Sequence, residues 1–76
     1  MIDLAAIRRA TGLTQTQLAA NLGVGQAQVS KVERQADMLI STLASYLAAL
    51  GADAKLVVEV SEQTVTYNLT SGREAR

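Results

Sequence analysis

Gln26, Ala27, Gln28 and Lys31 stand within six consecutive positions and carry side chains suited to reading base edges. A glutamine carboxamide donates and accepts at once, which matches N6 and N7 on the major-groove edge of adenine. Lys31, one helical turn beyond Gln28, can reach guanine O6 and N7 or a phosphate, and Ala27 can meet a thymine methyl group. Gln is also a good solvated helix residue, so plain solubility stays open for both glutamines. Other chemistry is scarce. The 76 residues include no histidine and no cysteine, and the seven carboxylates are scattered singly. They form no constellation for acid–base, nucleophilic or metal catalysis, so neither an enzyme nor a metal or cofactor is expected.

For those side chains to enter a groove, a helix must carry them and a second helix must hold it. The stretch from Leu13 to Arg34, LTQTQLAANLGVGQAQVSKVER, predicts such a pair. Thr14 can cap the first helix, and Gln17, three residues on, completes a capping box. Leu18, Ala19 and Leu22 follow at helical spacing, and Gly23 suits a left-handed turn. The second run turns Val29 and Val32 to one face, with Gln26, Ala27, Gln28, Ser30 and Lys31 on the others. Ala19 is small enough for a close crossing, and Leu18, Leu22, Val24, Val29 and Val32 are expected to fill the shared core. The stretch reads as a helix-turn-helix, although glycine-turned helical hairpins without that role share part of the pattern.

Around it, residues 3–11 predict a first helix capped by Asp3, with Leu4, Ile7 and Ala10 as its apolar stripe and Gly12 as its stop. Ser41 is expected to cap a fourth helix carrying Leu43, Tyr46, Leu47 and Leu50 inward and stopped by Gly51. Free N–H groups at that helix start, with the Ser41 and Thr42 hydroxyls, suit phosphate. Tyr46 reads as core edge, since one aromatic makes no stacking surface.

From Lys55 the period changes to two. KLVVEV and TVTYNL predict strands, the second with Val65, Tyr67 and Leu69 on one face. The connector Ser61-Glu62-Gln63 lacks a tight-turn residue, so the strands are better defined than the hairpin joining them. Two strands alone are marginal in water. Leu56, Val58, Val60, Val65, Tyr67 and Leu69 are therefore expected to meet a second copy or another protein. Residues 70–76 read as a frayed tail, and the Asn68-Leu69-Thr70 sequon as coincidence.

The chain is short enough that dimerisation would help it fold. Its net charge is zero, and residues 1–51 carry Arg8, Arg9, Lys31 and Arg34 against Asp3, Glu33 and Asp37, a net of +1. So weak a charge predicts poor binding of one half-site and favours a two-fold dimer on a palindrome. No secretory leader or long apolar run is legible, which suggests a cytoplasmic chain without membrane contact.

LTQTQLAANLGV followed by VSKVER resembles the helix-turn-helix of the Xre/Cro and phage-repressor family. The resemblance implies a mainly α fold, a lambda-repressor-like four-helix bundle over residues 1–53, with a short C-terminal β-strand pair over 54–69. It implies an ion pair between Arg8 and Glu33, with solvated surface charges as the alternative. It also places Thr14, Gln15 and Arg34 near phosphates. Gln35 stands where the family often has glycine, so the second helix of the motif could run one or two residues further. With STLASYLAALGADAKLVVEV added, the resemblance sharpens toward HigA- or HipB-type antitoxins of type II toxin–antitoxin operons, over residues 4 to about 69. That likeness implies a dimeric repressor of a palindromic double-stranded operator that also neutralises a cognate toxin. A stand-alone phage-type or restriction–modification regulator, and an interaction module using the helices as scaffold, remain the alternatives.

Overall fold

The structure, a computed structural model, describes residues 2–70; of the expected frayed tail 70–76, residues 71–76 lie outside the described residues, and Thr70 is buried and hydrogen-bonded rather than frayed. Its elements are α1 (Leu4–Ala10), α2 (Gln15–Leu22), α3 (Gln26–Arg34), α4 (Ile40–Ala49), β1 (Lys55–Val60) and β2 (Gln63–Asn68).

Local chemistry sets most helix ends. The Asp3 carboxylate accepts from the Ala6 N–H at 3.0 Å. Thr14 Oγ1 accepts from the Gln17 N–H at 3.1 Å while Gln17 Oε1 accepts from the Thr14 N–H at 2.9 Å, a complete capping box. Gly23 turns the chain at φ 75, where a β-carbon would be strained. Two ends differ from expectation. α3 stops at Arg34, because Gln35 is already extended at φ −75 and ψ 138, so the helix runs no further. Ser41 does not cap α4: the N-cap lies two residues earlier, at Leu39, which makes no side-chain bond, and the Leu43 N–H reaches the Leu39 carbonyl at 3.0 Å.

The core joins Leu4 of α1, Leu18 and Ala19 of α2, Val29 of α3 and Tyr46, Leu47 and Leu50 of α4. Three residues depart from the sequence pattern. Val24 is 42% exposed, because it lies in the turn after Gly23 rather than on an inward helix face. Ala10 is exposed at the end of α1. Tyr46 is among the most buried side chains, at 2% exposure, and so sits in the middle of the core rather than at its edge.

β1 and β2 pair antiparallel, with Leu56 opposite Tyr67, Val58 opposite Val65 and Val60 opposite Gln63. Gln63 thus belongs to the strand, and Ser61 and Glu62 alone make the turn, Ser61 taking the left-handed φ of 54 usually left to glycine. Leu69 falls beyond β2, half-buried, and its N–H donates to the Ala54 carbonyl at 2.9 Å. The Ala54 N–H donates back to Thr70 Oγ1 at 3.2 Å, which clasps the base of the hairpin. Both strands are exposed along their whole length. The period of two gathers Leu56, Val58, Val60, Val65 and Tyr67 on one apolar face; Leu69 does not continue it as a strand residue.

Candidate nucleic-acid interface

α3 is anchored from below by Val29, 1% exposed, and by half-buried Val32. At 100° per residue that anchoring turns Ala27, Lys31 and Arg34 directly outward and sets Gln26 and Gln28 on opposite shoulders of the helix. All five are exposed. The Gln28 shoulder faces α4 across an open cavity of about 270 Å³, with Val29 and Val32 in its wall and Ser41, Thr42 and Ser45 along its rim. The structure therefore brings Gln28, Ser41 and Thr42 together. Arg34 donates back to the Ser30 hydroxyl one turn earlier.

The Gln26 shoulder faces α2. Gln26 Nε2 donates to Gln15 Oε1 at 2.5 Å, and Gln15 Nε2 donates to Glu33 Oε1 at 2.8 Å. Gln15, read from sequence as a phosphate contact, is thus half-buried and committed at both ends of its carboxamide. Thr14 remains exposed, with its hydroxyl in the capping box.

Glu33 is the hub of a buried polar cluster. Arg8 Nε donates to its Oε2 at 2.7 Å, with the two side chains only 10% and 5% exposed, which excludes the reading of Arg8 and Glu33 as solvated surface charges. Arg8 Nη1 also donates to the Leu13 carbonyl at 2.8 Å. The Tyr46 hydroxyl donates to Glu33 Oε2 at 2.5 Å and lies 3.1 Å from the Leu4 carbonyl oxygen. Among the described residues no buried side-chain polar atom lacks a partner. Burial pushes the Glu33 carboxyl up, but the hydrogen bonds from Arg8, Tyr46 and Gln15 outweigh it and hold the group below its ordinary value. Burial raises the Tyr46 hydroxyl, as does its bond to Glu33, while the bond to Glu33 raises Arg8 against the opposing effect of its burial. Each stays in the charge state the cluster needs.

Sequence reasoning missed Tyr46 and the Gln15 bridge. Tyrosine at an inward helical position was the available signal, since a buried hydroxyl requires a partner. Among the described residues no group of three or more His, Cys, Asp or Glu side chains could hold a metal, and no helix is long and apolar enough to cross a membrane.

A small helical bundle in which one helix is braced through a glycine turn so that a third presents its polar face outward is a helix-turn-helix domain. The family described as "Helix-turn-helix domain" matches residues 1–59. The chain is 46% identical over 66 residues to "Putative antitoxin HigA3" of Mycobacterium tuberculosis, covering 82% of this chain and 60% of that protein. It is 34% identical over 62 residues to "Putative antitoxin HigA2" of the same organism, covering 79% and 61%. It therefore spans about 60% of the length of these curated relatives. Two solved structures are each 41% identical and match over 88% of this chain and 90% of theirs. One, described as "DNA bound antitoxin HigA3", superposes with a TM-score of 0.79. The other, described as "Induced DNA bending by unique dimerization of HigA antitoxin", superposes with a TM-score of 0.76. The chain belongs to the helix-turn-helix family of HigA-type antitoxins.

Proposed function

We propose that this chain is a cytoplasmic antitoxin that binds a palindromic operator in double-stranded DNA as a homodimer, represses its own operon and neutralises a cognate toxin. The observation that carries the DNA reading is α3, whose outward Gln26, Ala27, Gln28 and Lys31 stand clear of the core while Val29 locks the helix to α2 and α4. In this reading the glutamines address adenine, Lys31 addresses guanine or a phosphate, and Ala27 meets a thymine methyl. Thr14, Arg34, Ser41 and Thr42 flank that face and set register on the phosphates. Gln15 acts chiefly by holding Gln26. The similarity to a DNA-bound HigA3 and to a dimeric HigA supports both DNA and a second copy as partners.

We assign the dimer to the hairpin, whose apolar face of Leu56, Val58, Val60, Val65 and Tyr67 is uncovered by the described residues of one chain. A two-fold pairing there would set two copies of α3 about one DNA turn, roughly 34 Å, apart. Electrophoresis of the full chain with duplexes drawn from its own promoter, over a salt series, tests the DNA reading. A sequence-dependent shift whose affinity falls with salt is expected. Equal affinity for all duplexes would instead favour the scaffold reading, with the hairpin as the working surface.

A further inference from the structure

The unbroken line from Arg8 and Tyr46 through Glu33 and Gln15 to Gln26 has a direction. A carboxylate accepts and does not donate. Glu33 Oε2 is filled by two donors, Arg8 Nε at 2.7 Å and the Tyr46 hydroxyl at 2.5 Å. Glu33 Oε1 faces Gln15, with Arg8 Nη2 only at the 3.5 Å limit, so Gln15 must turn its Nε2 inward, as it does at 2.8 Å. Its Oε1 then points toward α3 and draws one N–H of Gln26. Gln26 is left with its Oε1 and a second N–H free, one acceptor and one donor. Adenine offers the complement, a donor at N6 and an acceptor at N7, whereas guanine offers two acceptors.

We propose that Glu33 is a positioning residue for base recognition: acting through Gln15, it fixes which atoms of the Gln26 carboxamide face the DNA and so selects adenine over guanine there. The proposal rests on the DNA-binding reading and deepens it. Replacing the carboxylate by a carboxamide in Glu33→Gln supplies the critical contrast. Arg8 and Tyr46 both donate, so they hold the new amide oxygen at the place of Oε2. The new NH2 group then takes the place of Oε1 and donates to Gln15. Gln15 turns over, its Nε2 faces Gln26, and Gln26 accepts through its oxygen. Both N–H groups of Gln26 are freed, the pattern that suits guanine.

The test is selection from a random duplex library by the full chain, comparing the wild type, Gln26→Ala, Glu33→Gln and Gln15→Met. Gln26→Ala locates the base pair by losing preference there. At that pair the wild type is expected to select adenine, and Glu33→Gln to move the adenine-to-guanine ratio about tenfold or more toward guanine, the size of one bidentate contact. Preferences at the other pairs should persist, which a merely destabilised domain would not deliver. Gln15→Met breaks the line without touching the ion pair, and should bring adenine and guanine to near parity; it decides the matter should Glu33→Gln not fold. An unchanged adenine preference in a folded Glu33→Gln or in Gln15→Met overturns the proposal, as does a wild-type preference for guanine at that pair. A wild type that enriches no sequence removes the DNA-binding reading, and this proposal with it.

Discussion

The helices and the hairpin treat their side chains in opposite ways. Within the helices an arginine, a glutamate and a tyrosine hydroxyl are buried, and each finds its partner inside the same chain. Along the hairpin, six large apolar residues remain between 41% and 61% exposed, five of them on one face. The backbone ladder between β1 and β2 is complete, yet among the described residues the sheet has two strands and no layer against either face. The helical half therefore carries within one chain what it needs to hold its shape, whereas the hairpin's strands pair only with each other and leave both outer edges and an apolar face uncovered among the described residues. Polar groups settled internally mark the part that positions α3; apolar groups left in water mark the part proposed to meet a second copy.

That contrast breaks most easily at its centre. Glu33→Ala would leave the Arg8 guanidinium buried without a counter-charge, and the expected loss is about 3–5 kcal/mol in urea unfolding followed by circular dichroism. A loss below about 1 kcal/mol would mean the cluster behaves as a surface pair. Val58→Asp places an unpaired carboxylate in the apolar hairpin face. It should weaken self-association by about 2–3 kcal/mol in sedimentation equilibrium while the helical signal persists. Retained dimer would move the interface elsewhere. Thr14→Ala removes one half of the capping box and should cost about 1 kcal/mol of stability without altering the mass of the assembly.

The smallest effect near neutrality is that of pH. Glu33 titrates lower in the folded chain than unfolded, so its stabilising contribution is full above the ordinary carboxylate range and is lost as pH falls through its own depressed value. Tyr46 is shifted upward, so its contribution is full below the ordinary tyrosine value of about 10 and is lost only at still higher pH. Chemical denaturation across pH should show a plateau between these limits. Tyr46→Phe should move the acid limb toward neutrality, because Glu33 loses one of the donors that hold it down.

Features governed by nearest neighbours were legible in the sequence. The Asp3 cap, the Thr14–Gln17 box, the turn at Gly23 and the two strands each depend on residues a few positions apart. Burial reached by distant partners was not. The Arg8–Glu33 pair followed from the family resemblance, but its burial did not, since it requires Tyr46 from α4 to close over it. Ser41 has the chemistry of a cap, but the chain had entered the helix at Ile40. Val24 is apolar without being inward, because a turn residue follows no helical period. For the set proposed to face DNA, the exposure of Gln26 and Gln28 follows from the spacing of Val29 and Val32, whereas the bridge from Gln15 required the crossing of α2 and α3.

The hairpin's bareness has a quantitative consequence for a cell. Strands that no other described residue covers open locally at little cost, so in the proposed dimer their order would depend on how often a second copy is at hand. By mass action, a doubling of copy number raises the paired form fourfold while pairing is rare, and adds progressively less once most chains are paired. In the proposed dimer the hairpin would thereby convert abundance into shape, and the chain would count its own molecules before two copies of α3 are held at a common spacing.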